Sequence, residues 1–224
     1  MLIVFDLDGT LIHSARDLAE SASEMVLSYG GRPLEVSAVT AMVGDGASVL
    51  VKRALTYASL SADTPGALDR FLAIYDRRML DHTVPYAGIR EALALSVHLG
   101  PMAVLTNKPL GPSLRLLDGL GLRGFFTDVL GGDSPYPRKP NPAGLRALMS
   151  ASPGEPAVVV GDSPADAKTA DAAGCPFCLA RYGFGVVRFD GAWPDTPHVA
   201  DHPRELPRLL QRIAATAPRA WPPP

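Results

Sequence analysis

The sequence predicts an α/β fold: a parallel β-sheet with helices on both faces, interrupted near its start by a small helical insertion. Three observations predict it. The chain opens on an apolar run, Leu2-Ile3-Val4-Phe5, that stops at a polar turn, as a buried strand does. From Pro85 onward, short β-branched runs alternate with stretches of helical spacing, the pattern of parallel strands joined by crossover helices. Between Ser14 and Val84 no convincing strand pattern occurs, and a helical block of that length between two strands reads as an inserted domain. The expected division is residues 1–13 and 85–224 for the sheet and its helices, and 14–84 for the insertion.

The elements follow in order. Ala15 to Tyr29 reads as a helix with Leu18, Ala22, Met25 and Val26 on one face, Ser14 as its N-cap and Gly30-Gly31 as its stop. Val36 to Val43 is a short helical piece broken by Gly44-Asp45-Gly46. Ala47 to Tyr57 and Pro65 to Leu80 are two further amphipathic helices. Pro85-Tyr86-Ala87-Gly88 punctuates the return to the sheet. Helices are then expected over Ile89–Leu99, Leu114–Leu120, Pro142–Ser150, Pro164–Ala173 and Arg204–Ala215. Strands are expected over Met102–Leu105, Phe126–Leu130, Ala157–Val160, Phe177–Ala180 and His198–Ala200. The Pro-rich tail, Pro218–Pro224, reads as frayed.

The composition supports a sizeable core: 47% of the 224 residues are hydrophobic and the mean hydropathy is +0.11. The formal net charge of -2, without a basic or acidic run, argues against nucleic-acid and membrane-surface partners. No basic-then-apolar leader is read at the N-terminus, and no apolar stretch is long enough to span a bilayer, so the expected compartment is the cytoplasm. Cys175-Pro176-Phe177-Cys178 has redox spacing, but it follows a helix end and enters a strand, the reverse of a redox helix start. Both thiols are therefore expected to be structural.

Three strands end in residues capable of chemistry, and ligands of such sheets bind outside the C-terminal strand ends. After the first strand come Asp6 and Asp8 in Phe5-Asp6-Leu7-Asp8-Gly9-Thr10-Leu11. Two residues apart on an extended chain, they begin on the same side until the Gly9 turn re-aims the second. Two carboxylates so placed repel each other unless a cation or proton intervenes, which suits a nucleophile, a proton shuttle and a metal. Taken alone, the run is equally an acidic turn. After Met102–Leu105 come Thr106, Asn107 and Lys108. The Thr106 hydroxyl and the backbone N–H groups that follow suit a phosphate oxygen, although a Thr-capped turn would look the same. After Ala157–Val160 come Asp162, Ser163 and Asp166. Asp166 is placed to support Asp162 or a metal-bound water, or to cap the helix that starts there.

Lysine is scarce: only Lys52, Lys108, Lys139 and Lys168 occur, positive charge being otherwise carried by arginine. Lys139, between Arg138 and Pro140, is held in a stiff loop and would serve as a point charge against a phosphate and a carboxylate. Together these residues describe phosphoryl transfer. Carboxylates bind a hard cation with oxygen ligands, Mg²⁺ being the expected one. Asp6 attacks, and Asp8 moves the proton.

The segments FDLDGTL (5–11), VLTNK (104–108), RKPNP (138–142) and VVVGDSPADAKTADAAG (158–174), in this order, resemble the haloacid dehalogenase-like phosphatases. The resemblance implies a Rossmann-like parallel sheet core with an inserted α-helical cap, here 14–84. It implies Asp6 as nucleophile and Asp8 as acid/base, and Mg²⁺ on the Asp6 carboxylate, the Asp8 backbone carbonyl and the Asp162 carboxylate. Thr106, Asn107 and Lys139 would hold the phosphoryl group. The cap segment Met42–Leu55, with Thr106-Asn107-Lys108-Pro109 and Gly131-Gly132-Asp133, looks like that of the phosphoglycolate phosphatases. This implies a cap loop at Gly44, Gly46 and Ala47 that closes over a small phosphorylated metabolite, 2-phosphoglycolate first among the candidates. Physically, glycines there allow close backbone approach, and the following helix start could receive an anion. An ordinary inter-helix turn is the alternative.

His13 departs from the acidic residue often found in relatives, and could touch substrate or stand exposed in the linker. Ser134-Pro135-Tyr136-Pro137 could alter the approach of Lys139. A sugar phosphate, a nucleotide or pyrophosphate remains an alternative substrate, and a phosphomutase an alternative activity. Asp8 argues against a dehalogenase, and phosphonate hydrolysis would need Lys52, the cap's one lysine, to reach the site. A non-catalytic binding module of the same fold is the reading from a different class. The expected assembly is a monomer or weak homodimer.

Overall fold

β1 (Leu2–Phe5) lies inside a six-stranded parallel sheet in the computed structural model, which describes residues 1–188 and 198–216. The remaining strands are β2 (Ile12–His13), β3 (Val84–Pro85), β4 (Met102–Leu105), β5 (Asp128–Leu130), β6 (Ala157–Gly161), β7 (Phe177–Ala180) and β8 (Val199–Ala200). The sheet order is β5-β4-β1-β6-β7-β8, every neighbouring pair parallel. After β1 the chain builds outward on one side through β4 and β5, then crosses to the other through β6, β7 and β8. The three strands with chemically capable ends, β4, β1 and β6, are thus immediate neighbours, and their C-terminal ends open on one crevice.

Alternation along these strands divides the core. Ile3, Phe5, Val104, Val158, Val160 and Cys178 face one side; Leu2, Val4, Ala103, Leu105, Ala157 and Val159 face the other. Strands buried on both faces need continuous apolar runs, which is what β1, β4 and β6 carry. Helices α5 (Ile89–Ser96), α6 (Leu110–Gly119), α7 (Ala143–Ser150), α8 (Pro164–Ala173) and α9 (Leu206–Thr216) cover the sheet. Cys175 and Cys178 are free and buried, and belong to opposite faces, as expected of structural thiols.

The insertion is helical throughout: α1 (Ala15–Ser28), α2 (Val36–Thr40), α3 (Ala47–Tyr57) and α4 (Ala67–Arg78), with α1 packed against the other three. Its apolar faces continue the cluster on one side of the sheet, through Leu7, Leu11 and Ile12 to Leu18, Met25, Leu55 and Phe71. Entry and exit are tied together by a feature not read in the sequence. β2 and β3 pair antiparallel, Ile12 opposite Pro85 and His13 opposite Val84. Beside them the fully buried Asp17 carboxylate accepts from His82 N–H, from Thr83 N–H at 2.8 Å and from the Thr83 hydroxyl at 2.7 Å. An acid in the first turn of a helix looks like dipole complementarity; here it satisfies the backbone of a returning segment.

Several boundaries differ from expectation. α6 starts at Leu110 rather than Leu114, because Pro109 and Pro112 fall where helix donors lack partners anyway. The Leu110 N–H is taken by Asp133 Oδ1 at 2.7 Å. β5 starts at Asp128 rather than Phe126, since Arg123–Phe125 forms a 3₁₀ turn that drops Phe126 edge-on against Phe5. α9 starts at Leu206 rather than Arg204, after a 3₁₀ turn at Pro203–Glu205. The tail Pro218–Pro224 lies outside the described residues. No helix among the described residues is long and apolar enough to cross a membrane.

Candidate active site

Asp6 follows β1 directly and is buried at the mouth of the crevice. Its Oδ1 accepts from Lys139 Nζ at 2.7 Å, and the same ammonium donates to Asp166 Oδ1 at 2.6 Å. Burial raises the Asp6 carboxyl to about 6, against the pull of Lys139 and with added repulsion from Asp166 and Asp8. Lys139 is itself held above the usual lysine range: burial works against its charge, and Asp166 and Asp6 outweigh it.

Asp162, at the end of β6, is pushed well above the carboxylate range by burial and then by the charges of Asp6 and Asp166. Gly185 N–H donates to its Oδ2 at 2.7 Å, and the Thr10 hydroxyl lies 3.4 Å from Oδ1. Gly9 makes this approach possible. Its φ of +92° suits glycine alone, and a Cβ there would collide with the Asp162 carboxylate. Asp166 serves two purposes at once, the helix capping that the sequence allowed and a contact with Lys139 that it did not suggest. Its Oδ2 accepts from Ser163 N–H at 3.0 Å and from the Ser163 hydroxyl at 2.6 Å, ordering the start of α8, while Oδ1 faces Lys139.

Asp6, Asp162 and Asp166 bring carboxylate oxygens within 4.8 Å of one another, all three buried. Burial first, and then the repulsion of three carboxylates that face one ammonium, Lys139, makes Asp6 and Asp162 resist ionisation. A hard divalent cation is what such an all-oxygen group fits. The Asp8 side chain is turned away from this group. Its Oδ1 accepts from the Ser14 hydroxyl at 2.5 Å, and its Oδ2 lies 3.0 Å from Lys108 Nζ. The backbone-carbonyl role expected of Asp8 leaves its carboxyl free for this second environment.

Thr106 Oγ1 accepts from Lys108 N–H at 3.2 Å, which leaves the Thr106 proton to be donated into the crevice. Asn107 is more committed than the sequence suggested. Its amide donates to Gly44 O and to Lys139 O, both at 3.0 Å, and its Oδ1 accepts from Lys139 N–H at 2.9 Å. The side chain is a brace between the Gly44 loop and the Lys139 loop.

A cavity of about 50 Å³ lies over these residues. Asp6, Asp8, Thr106, Asn107 and Lys108 border it below; Gly44, Gly46, Ala47 and the apolar Leu18, Val43, Leu50, Phe71 and Leu72 border it from the insertion. The expected loop therefore does lie over the crevice, and Gly46, with φ +92°, packs against Arg138 and the Asn107 carbonyl. His13 is exposed and meets Tyr86 and Phe184 edge-on instead of bordering the cavity. Lys52 pairs with Asp63 at 2.9 Å on the surface, away from where a cap lysine would have to reach. Ser14, expected as a helix cap, and Thr10 and Tyr75, for which the sequence suggests no role, also reach the site; nothing local distinguishes them.

A family model, "haloacid dehalogenase-like hydrolase", matches residues 1–174. A phosphoglycolate phosphatase of Cereibacter sphaeroides (strain ATCC 17029 / ATH 2.4.9) is 36% identical over 219 residues, covering 95% of this chain and 99% of its own. One from Rhodospirillum rubrum is 42% identical over 192 residues, covering 81% and 80%. Among solved structures, that of a predicted phosphoglycolate phosphatase from Haemophilus somnus 129PT superposes with a TM-score of 0.82 at 27% identity, covering 93% of this chain and 96% of that one.

Proposed function

Because the chain belongs to the phosphoglycolate phosphatase-like family of the haloacid dehalogenase-like hydrolases and is a phosphatase, we propose that it cleaves 2-phosphoglycolate through a phosphorylated Asp6. The observation that carries this reading is the Asp6 carboxylate, held by Lys139, at the border of a cavity roofed by Gly44, Gly46 and Ala47.

In this reading Asp6 attacks phosphorus while Lys139 and Thr106 hold the phosphoryl oxygens, and the bond from phosphorus to the leaving oxygen breaks. Asp8 gives that oxygen its proton. Asp8 then takes a proton from water as the water attacks phosphorus and releases Asp6. Ser14 keeps the Asp8 carboxyl aimed at the leaving side. The Asp6 and Asp162 carboxylates and the Asp8 carbonyl, with Asp166 and Ser163 behind them, would hold Mg²⁺, which would supply charge neutralisation for the phosphoryl group. Residues 14–84 act as a cap on the core of 1–13 and 85–224, hinged at 12–14 and 84–88. Gly44, Gly46 and Ala47 select the substrate. The enzyme works in the cytoplasm as a monomer or weak homodimer, with no nucleic-acid or membrane partner.

Phosphate release from 2-phosphoglycolate, glucose 6-phosphate, a nucleoside monophosphate and pyrophosphate, with Mg²⁺ and with EDTA, tests this. The expected result is the highest kcat/KM on 2-phosphoglycolate, lost on chelation. A sugar phosphate cleaved more efficiently overturns the substrate, and transfer to a second alcohol in place of water indicates a mutase.

A further inference from the structure

The crevice contains two buried lysines, and the chemistry above uses the charge of only one on the phosphoryl group. Lys139 is fully engaged by Asp6 and Asp166. Lys108 lies on the other side of the nucleophile, next to Asp8, and is the one cation among the residues bordering the cavity. Its backbone is fixed. Its N–H donates to Thr106 Oγ1, and its carbonyl accepts from Gly132 N–H at 2.8 Å, so the side chain projects from a rigid strand end. Its ammonium sits 4.4 Å from the centre of the Tyr75 ring, on α4 of the insertion.

Tyr75 supplies a second sign of a ligand. It is 3% exposed, borders the cavity, and its hydroxyl, beside the Lys108 ammonium, finds no acceptor among the described residues. A buried hydroxyl without an acceptor is costly and calls for an acceptor that arrives with the ligand. The rest of the roof is apolar, so a charged group entering here finds compensation at Lys108 and Tyr75.

We propose that Lys108 and Tyr75 form the subsite for a carboxylate on the leaving group, so that the enzyme selects the phosphate ester of a short hydroxy acid over its uncharged analogue. This rests on the phosphatase reading and explains its substrate. The leaving oxygen must lie beside Asp8, and Lys108 Nζ is 3.0 Å from Asp8 Oδ2, so a carboxylate one carbon beyond that oxygen comes within reach of the ammonium and of Tyr75, which lies against it. Lys108 is a specificity residue here, and its contact with Asp8 is the resting arrangement.

The test compares 2-phosphoglycolate with ethyl phosphate, the same two-carbon chain without the carboxylate, in the Mg²⁺-loaded enzyme. The unaltered protein should prefer 2-phosphoglycolate in kcat/KM by about a hundredfold or more, since a site built for a charged partner rejects the analogue that lacks it. Lys108→Met should collapse that preference to within about threefold, and Lys108→Arg should restore part of it. Tyr75→Phe, which deletes only the unpartnered hydroxyl, should reduce the preference by about tenfold, mainly through KM for 2-phosphoglycolate. Equal losses on both esters in Lys108→Met would make Lys108 a positioning residue for Asp8 and overturn the proposal. So would an unaltered protein without preference, or Tyr75→Phe with preference unchanged. Hydrolysis of neither ester by the unaltered protein would instead remove the phosphatase reading beneath it.

Discussion

The Asp6 carboxylate meets the Lys139 ammonium at 2.7 Å, although 133 positions separate them in the chain. The contact depends on β1 and β4 being neighbours, and on the Asn107 side chain at the end of β4 holding the Lys139 backbone. It fixes where negative charge can be tolerated, and it makes the first prediction sharp.

Asp6→Asn should abolish turnover, by at least about a thousandfold, because the attacking oxygen and a metal ligand disappear together. The fold should remain. Burial already disfavours the Asp6 charge, so a neutral isostere costs little; thermal unfolding should show a midpoint equal to or above that of the unaltered protein. Measurable hydrolysis near the original rate would refute the nucleophile assignment.

Asp8→Asn should slow hydrolysis by about a hundredfold or more while Mg²⁺ binding, followed by calorimetry, survives. The Asp8 carboxyl faces Ser14 and Lys108 rather than the Asp6–Asp162–Asp166 group, which is why the two properties separate. Loss of metal affinity with a normal rate at saturating Mg²⁺ would reverse the assignment.

Gly46→Val should impair a small substrate far more than p-nitrophenyl phosphate. A side chain at this φ is strained, and its Cβ would stand 2.9 Å from an Arg138 guanidinium nitrogen and 3.1 Å from the Asn107 carbonyl, lifting the loop that closes the cavity. Equal losses on both esters would mark the loop as scaffolding.

Asp17→Ala should lower stability by about 2–4 kcal/mol, read from denaturant unfolding, because the Thr83 N–H and hydroxyl would be buried without an acceptor and the His82 N–H would lose its partner. An unchanged midpoint would show that water satisfies them.

The buried thiols give a pH signature. Burial pushes both Cys175 and Cys178 up to about 12, from 9 in the unfolded chain. Below pH 9 both states hold their protons and nothing changes. Above it the unfolded chain ionises first, so the thiols' contribution to stability is lost as pH rises from 9 towards 12. The fall in unfolding free energy between pH 8.5 and 10.5 should be shallower in a Cys175→Ala/Cys178→Ala variant, and identical slopes would refute it.

How much of this could be read from the chain alone follows from how local each signal is. β1, β4 and β6 were legible because a strand buried on both faces must be apolar at every position. Asp6 and Asp162 were legible because strand ends in a parallel sheet point to one edge, and Lys139 because it is one of four lysines and stands beside Pro140 in a stiff loop. Asp17 and Tyr75 were not, because the partners that define them lie across the fold: Thr83 for one, Lys108 for the other. The start of α6 was not legible because its first turn holds Pro112, which a first turn tolerates but a helix interior does not. Asn107 was expected to face the phosphoryl group; tertiary contacts give its amide to two backbones instead.

That amide has a mechanical consequence. One planar group grips the loop that roofs the cavity and the residue that carries the phosphoryl-binding charge, so the two cannot shift independently. Swinging the roof away surrenders the bond to Gly44 and slackens the hold on Lys139, while reseating it tightens both. In the proposed reaction Asn107 would thus be a linkage that times charge placement to enclosure, arming the site only once it is shut.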